Sequence, residues 1–173
     1  KKGHKKGKTK ASKSTPGKPG PSAGKVSLLN RPYDQVAFLV THNAMSNRAE
    51  GWLFPNQSFG LSRQLKDGVR GLMLDVHLVN GQPHLVHSKP LLGKRPLAEG
   101  LREITGYLAR TPDAVVTIIF ESYVDAALIR RSFEAAGLFD QLHRQQPGKP
   151  WPTLKQMIAA KRRLVVFTDR GGG

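Results

Sequence analysis

The chain has 173 residues, enough for one domain with a sizeable core, and 38% of them are hydrophobic. Lys and Arg outnumber Asp and Glu by 28 to 12, giving a formal charge of +16. It has no cysteine, which excludes disulfides and thiolate metal sites, and no apolar run reaches membrane-spanning length.

Residues 1–25 carry nine Lys and no acid among Gly, Pro, Ser, Thr and Ala. So little apolar surface cannot offset ordering entropy, and the segment reads as a disordered basic arm ahead of a folded unit at 26–173. Such an arm is a solvated tether or is drawn to an anionic surface. No aromatic residue is interleaved with its lysines and no nucleic-acid motif follows, so anionic lipid is expected over nucleic acid. A start at Lys rather than Met reads as a processed or excised piece.

The continuous apolar run Val36–Val40, extended to Thr41, predicts a strand buried on both faces. Residues 43–60, rich in Asn, Gly, Ser and Pro, read as a long loop. Leu61–Lys66 reads as a short helix stopped at Asp67-Gly68, followed by a second strand over Val69–Val76. Asn80-Gly81 signals a turn into a third strand, Pro83–Val86. Leu97, Leu101, Ile104 and Leu108 have helical spacing, Ala114–Phe120 is strand-like, and 124–136 form a helix closed by Gly137. Trp151-Pro152-Thr153 opens a last helix to about Ala160, and Leu164–Thr168 is a final strand. Strands alternating with helices predict βαβ units and a parallel sheet. About five strands fit, whereas a full eight-stranded barrel takes about 250 residues. Of an open α/β sheet and the front half of a barrel, the second is favoured.

Each strand is followed at once by a residue with chemistry: His42 and Asn43, Asp75 and then His77, His87, Glu121, and Asp169. Strand carboxyl ends share one face of a parallel β/α fold, so these side chains would converge on a catalytic site. A pair such as His42 and His87 can divide proton transfer between a base and an acid. His84 faces the other side of its strand from His87 and reads as structural or exposed; His4 and His143 read as solvated. Asn43, Asp75 and Glu121 are oxygen donors that suit calcium or magnesium over zinc. Asp75 reads equally as the orienting partner of a histidine. His77, on the same side of its strand as Asp75, joins Lys89 and Arg170 as a candidate substrate contact. No G-x-S-x-G, G-x-x-x-x-G-K-[ST] or G-x-G-x-x-G motif is present.

Five segments in order, THNAMS (41–46), DGVRGLMLDVHL (67–78), HLVHS (84–88), TPDAVVTIIFESYV (111–124) and WPTLKQMIAAKRRLVVFT (151–168), resemble the phosphatidylinositol-specific phospholipase C X-domain family. The likeness is greatest to the phospholipase C-like phosphodiesterases of bacteria, plants and fungi, and spans about residues 33–170. It implies an incompletely closed TIM-type barrel, here its N-terminal half, acting as a monomer on a phospholipid at a membrane surface. It implies that His42 is the general base for an inositol hydroxyl that attacks the adjacent phosphorus, and that His87 is the general acid for the departing oxygen. It implies calcium at Asn43, Asp75 and Glu121. The chain departs from that pattern at Met73, where calcium-dependent relatives carry a further Glu, and at His77, where calcium-independent ones carry Arg. The resemblance also suggests an extracellular or cell-surface location. A different class of reading is a catalytically silent member that binds anionic lipid; indifference to His42→Ala would favour it.

Overall fold

Along Gly71–Val79 the even-numbered side chains Leu72, Leu74 and Val76 are fully buried, while Met73, Asp75 and His77 lie on the opposite face. That period of two belongs to a strand with one face against helices and the other turned to a site. The computed structural model describes residues 27–169. Its strands are β1 (Val40–Thr41), β2 (Gly71–Val79), β3 (Gln82–Val86), β4 (Lys94–Pro96), β5 (Val116–Ser122) and β6 (Leu164–Thr168). Its α-helices are α1 (Leu61–Lys66), α2 (Leu97–Arg110), α3 (Ala126–Ala135) and α4 (Leu154–Ala159). The basic arm at 1–25 and Arg170 lie outside the described residues.

The strands form one sheet in the order β4-β3-β2-β5-β6, with β1 beside the first half of β2. β1, β2, β5 and β6 are parallel, β3 returns antiparallel to β2 from the Asn80-Gly81 turn, and β4 runs antiparallel to β3. The sheet is therefore mixed: parallel through β1, β2, β5 and β6, as the alternation predicted, and antiparallel at the turn that Asn80-Gly81 signalled. Gly71 lets β1 approach β2: a Cβ there would meet Val40 Cγ2 at 2.6 Å. The outer core joins Leu72, Leu74, Val76, Val116, Ile118 and Phe120 of the strands to Leu61 and Leu65 of α1, Leu101, Ile104 and Leu108 of α2, and Phe133 of α3. Fully burying one such side chain stabilises the fold by roughly 1.5–3 kcal/mol. Thr153 closes a capping box with Gln156 at the start of α4, which explains the helix read there.

The predicted strand over 36–41 is corrected to two residues. Val36 and Phe38 pack instead on a second cluster of Tyr33, Val115, Leu154, Met157 and Val165, at the end of the inner face away from the strand carboxyl ends. Leu39 is 63% exposed and Val40 39%, because β1 has only the start of β2 as a neighbour. β4 went unpredicted: a Lys-Arg-Pro triplet is short, charged and confined to an edge, which is how edge strands avoid pairing with other chains.

Candidate active site

Asp75 and Glu121 are register partners on β2 and β5, so their side chains stand side by side at the carboxyl ends of two parallel strands. His87 reaches the same place by a different route. It follows β3, which runs antiparallel, so His87 is not at an end equivalent to that of His42. Because β2 continues four residues past Asp75 before turning, β3 ends level with the carboxylate. There His87 Nδ1 lies 3.2 Å from Asp75 Oδ2. Asp75 is 6% exposed.

Asn43 completes the cluster. It is buried, in a left-handed backbone conformation (φ 48°) that Asn tolerates better than most residues. Its neighbours orient the amide. With nitrogen toward Asp75 it donates to Oδ1 and Oδ2 at 3.1 and 3.3 Å, and its oxygen accepts from His87 Nδ1 at 3.1 Å. The Nδ1 proton of His87 is thus shared between Asp75 and Asn43, which leaves Nε2 as the nitrogen available for proton transfer. His42, adjacent in sequence to Asn43, is exposed and opens the turn after β1.

The loop bearing His42 is held from outside the cluster. Thr41 Oγ1 donates to Gln64 Oε1 at 2.6 Å, and Gln64 Nε2 donates to the carbonyls of Ala44 and Phe59 at 2.8 and 2.6 Å. Gln57 Nε2 donates to the His42 carbonyl at 2.7 Å. Neither glutamine stood out in the sequence. A Gln among the apolar positions of a short helix is the one signal that could have marked Gln64, since a buried amide needs partners.

Burial pushes the Asp75 carboxyl up from its ordinary value. The hydrogen bond from His87 opposes that rise, the Glu121 charge adds to it, and the charges of His87 and His77 oppose it again. When His87 carries both ring protons, its contact with Asp75 is an ion pair. The dyad shares charge across a site that would otherwise hold an isolated buried carboxylate.

The three oxygen donors expected to hold calcium, Asn43, Asp75 and Glu121, stand in one site, each with a partner inside the protein. With its nitrogen toward Asp75 the Asn43 amide donates to that carboxylate, Glu121 accepts a hydrogen bond from the Tyr123 hydroxyl, and Met73 stands where the resemblance expects a further acid. Calcium takes six to eight oxygen ligands. Among the described residues no group of three or more His, Cys, Asp or Glu is placed to hold a metal ion.

Other predicted residues fall as follows. His77 stacks on Tyr123, with ring centroids 4.3 Å apart. Lys89 is exposed, and its backbone N–H donates to the His87 carbonyl at 2.9 Å. Asp169 is structural at this point: its Oδ1 accepts from the Ser122 N–H at 3.0 Å, tying the end of β5 to the segment after β6. His84, the register partner of His77 on β3, sets its Nδ1 3.0 Å from the Gln82 carbonyl, and His143 its Nε2 2.9 Å from Gln145 Oε1.

Comparison with known proteins bears on the family and the fold. The PI-PLC X family model matches residues 28–172. A PI-PLC X domain-containing protein of Arabidopsis thaliana is 35% identical over 170 residues, covering 87% of this chain and 39% of that protein. An uncharacterized secreted protein of Arthroderma benhamiae is 29% identical over 156 residues, covering 86% of this chain and 35% of that protein. The chain thus spans little more than a third of the length of these relatives. Among solved structures, the phosphatidylinositol-specific phospholipase C of Listeria monocytogenes superposes with a TM-score of 0.61 at 17% identity, over 82% of this chain and 54% of that one. At that identity the likeness concerns the fold, that of a partial TIM-type barrel.

Proposed function

Because the chain belongs to the PI-PLC X-domain family, we propose that it cleaves a phosphatidylinositol-like phosphodiester in the manner of a phospholipase C, with His42 as base and His87 as acid. The observation that carries this reading is the closed cluster of Asn43, Asp75 and His87, joined through the peptide bond of Asn43 to an exposed His42. His42 removes the proton of the hydroxyl adjacent to the phosphate. That oxygen bonds to phosphorus, the bond from phosphorus to the glycerol oxygen breaks, and His87 Nε2 protonates the departing oxygen. The products are a cyclic phosphodiester and diacylglycerol. Asp75 and Asn43 position His87 by fixing its Nδ1 proton. An internal nucleophile held beside phosphorus supplies on the order of 7–11 kcal/mol of the barrier reduction in well-oriented cases.

The surface beside the cluster supports a lipid substrate. Leu53 (56% exposed) and Phe54 (84%) lie on the loop that follows His42, and Leu91 (89%) on the loop that follows His87. A hydrogen bond from the Leu53 N–H to the Leu92 carbonyl, 2.7 Å, joins the two loops. Apolar side chains gathered on a polar, cationic chain mark a contact with another apolar phase. Contact with a membrane surface through these exposed loops is the reading adopted. Action at an extracellular or cell-surface membrane agrees with the description of the Arthroderma relative as secreted.

Phosphorus NMR of the chain with phosphatidylinositol in detergent micelles tests the assignment. A cyclic-phosphodiester resonance that His42→Ala abolishes is expected. Turnover by the His42→Ala protein at the unmodified rate would remove His42 from the chemistry.

A further inference from the structure

The loop that leads into β6 and the loop between Leu142 and α4 meet at the amino end of β6. The His143 N–H donates to the Leu164 carbonyl at 2.8 Å, and Leu142 bridges to Leu164. β6 runs parallel to β5 and β5 to β2, so this is the end of the sheet opposite Asp75 and Glu121. Two adjoining cavities of about 700 and 410 Å³ open there, a size that suits a small molecule. His143, Arg144 and Arg162 line both, and Lys149 lines the larger. No acid lines the larger cavity, and Asp140 is the one acid of the smaller.

These cations lack a counter-charge. Among the described residues, carboxylates pair with Arg63, Arg95, Arg130 and His87, and with none of Arg144, Lys149 and Arg162. Like charges gathered on one cavity repel one another, and a bound anion relieves that repulsion. Both guanidinium groups are also held in place before any ligand arrives. Arg162 Nη1 donates to the Asp140 carbonyl, and Arg144 lies over the Phe139 ring with Cζ 5.3 Å from its centroid. Neither contact occupies all five donors of the fork. Arg163 is different: its nitrogens are directed at the carbonyls of Thr111 and Leu108 and at Gln141, which makes it a structural residue. A guanidinium fork matches one phosphate bidentately, so Arg144 and Arg162 together suit more than one phosphate group. The loops that carry Leu53, Phe54 and Leu91 leave the catalytic end of the sheet. When they meet a membrane this groove faces water, which favours a dissolved ligand over a lipid headgroup.

We propose that this groove binds a water-soluble ligand bearing two or more phosphate groups, with Arg144 and Arg162 each on a phosphate and Lys149 adding charge at one end. It is a second site, separated from the catalytic cluster by the length of the sheet. Only the direction it faces is taken from the reading given under Proposed function.

Calorimetric titration of the full chain with sodium tripolyphosphate tests it, at about 0.15 M ionic strength to screen exposed charges. Saturable binding is expected, with orthophosphate weaker. Arg144→Gln and Arg162→Gln should each weaken it roughly 10–100-fold, the range for a hydrogen bond to a charged group. Arg162→Lys, which keeps the charge and loses the fork, should recover part of that loss. Lys155→Gln removes the same charge from an exposed position of α4 outside both cavities and should leave affinity within twofold. Nitrogen–proton NMR of the arginine side chains should show Arg144 and Arg162 moving with tripolyphosphate while Arg163 stays. Equal weakening by Lys155→Gln and by the two Arg variants assigns the binding to overall charge or to the basic arm and overturns the site. The absence of saturable binding overturns it too. So do Arg144 and Arg162 signals that move with vesicles of phosphatidylinositol bisphosphate and not with tripolyphosphate, since the groove would then serve a membrane. Because the readout is binding, each of these results is separate from whether the catalytic cluster turns over lipid.

Discussion

The two ends of the inner sheet face are built from the same strands and do opposite things. At the end away from the strand termini, Tyr33 seals the face: it stacks on Trp151 with ring centroids 4.6 Å apart, and its hydroxyl meets Thr117 Oγ1 at 2.7 Å, among Val115, Leu154, Met157 and Val165. Four residues along β5 from Thr117 stands Glu121, beside Asp75, His77 and Tyr123. Burial acts in the same direction at both ends, raising the Tyr33 phenol and the Asp75 carboxyl above their ordinary values. One hydrogen bond, from Thr117, opposes it at Tyr33. At Asp75 the opposing groups are histidines that can gain or lose charge. A strand face thus becomes a site by exchanging fixed apolar partners for titratable ones, with no change of backbone.

Substitutions at the two ends should therefore separate chemistry from stability. The largest effect belongs to His42→Ala and His87→Ala: each should cost roughly 10²–10⁴-fold in turnover, the range for one acid–base group, with an unchanged circular dichroism melt for the exposed His42 and a lowered one for His87, whose loss strips buried Asp75 of its partner. Leu72→Ala, in the outer core that supports both ends, should instead cost about 2–5 kcal/mol in a urea titration, the range for buried Leu to Ala. Tyr33→Phe leaves the Thr117 hydroxyl without its partner and should cost about 1–3 kcal/mol, with kcat within twofold of the unmodified chain. Phe54→Ser should weaken binding to phosphatidylinositol vesicles in a sedimentation assay while leaving hydrolysis of a water-soluble short-chain substrate unaltered.

The smallest effect is on the pH dependence of stability. Asp75 has a raised carboxyl in the folded protein, so its contribution is full below the ordinary carboxylate value and is lost as pH rises through the raised one. Asp75→Asn should remove that loss. Urea midpoints of the two proteins should diverge across this window, the variant gaining as pH rises. Parallel midpoints would show that the dyad compensates the burial of Asp75 fully.

Much of this was legible in the residues. The period of two in Leu72, Leu74 and Val76 against Met73, Asp75 and His77 names both the strand and its active face. The helical spacing of Leu97, Leu101, Ile104 and Leu108 names α2 and its buried side. The run Val36–Val40 misled because an unbroken apolar stretch reads the same whether it enters a sheet or folds over a hydrophobic cluster. The closeness of His87 and Asp75 was not legible in its cause: it depends on how far β2 overshoots before the hairpin returns, a matter of register between strands. The bridging role of Asn43 depends on a left-handed backbone residue that the string THNAMS does not announce. Tyr123 was within reach, since Glu121-Ser122-Tyr123 repeats the spacing of Asp75-Val76-His77 on the neighbouring strand.

The central claim is that His42 and His87 together cleave a phosphodiester through an internal nucleophile. Phosphorus NMR of phosphatidylinositol in micelles, recorded with calcium and again with chelator for the unmodified chain and for His42→Ala, tests it most directly. The account predicts a growing cyclic-phosphodiester resonance with the first protein and an unchanged lipid resonance with the second. Spectra in which the unmodified chain yields only an acyclic inositol phosphate, or leaves the lipid intact both with calcium and with chelator, would contradict it.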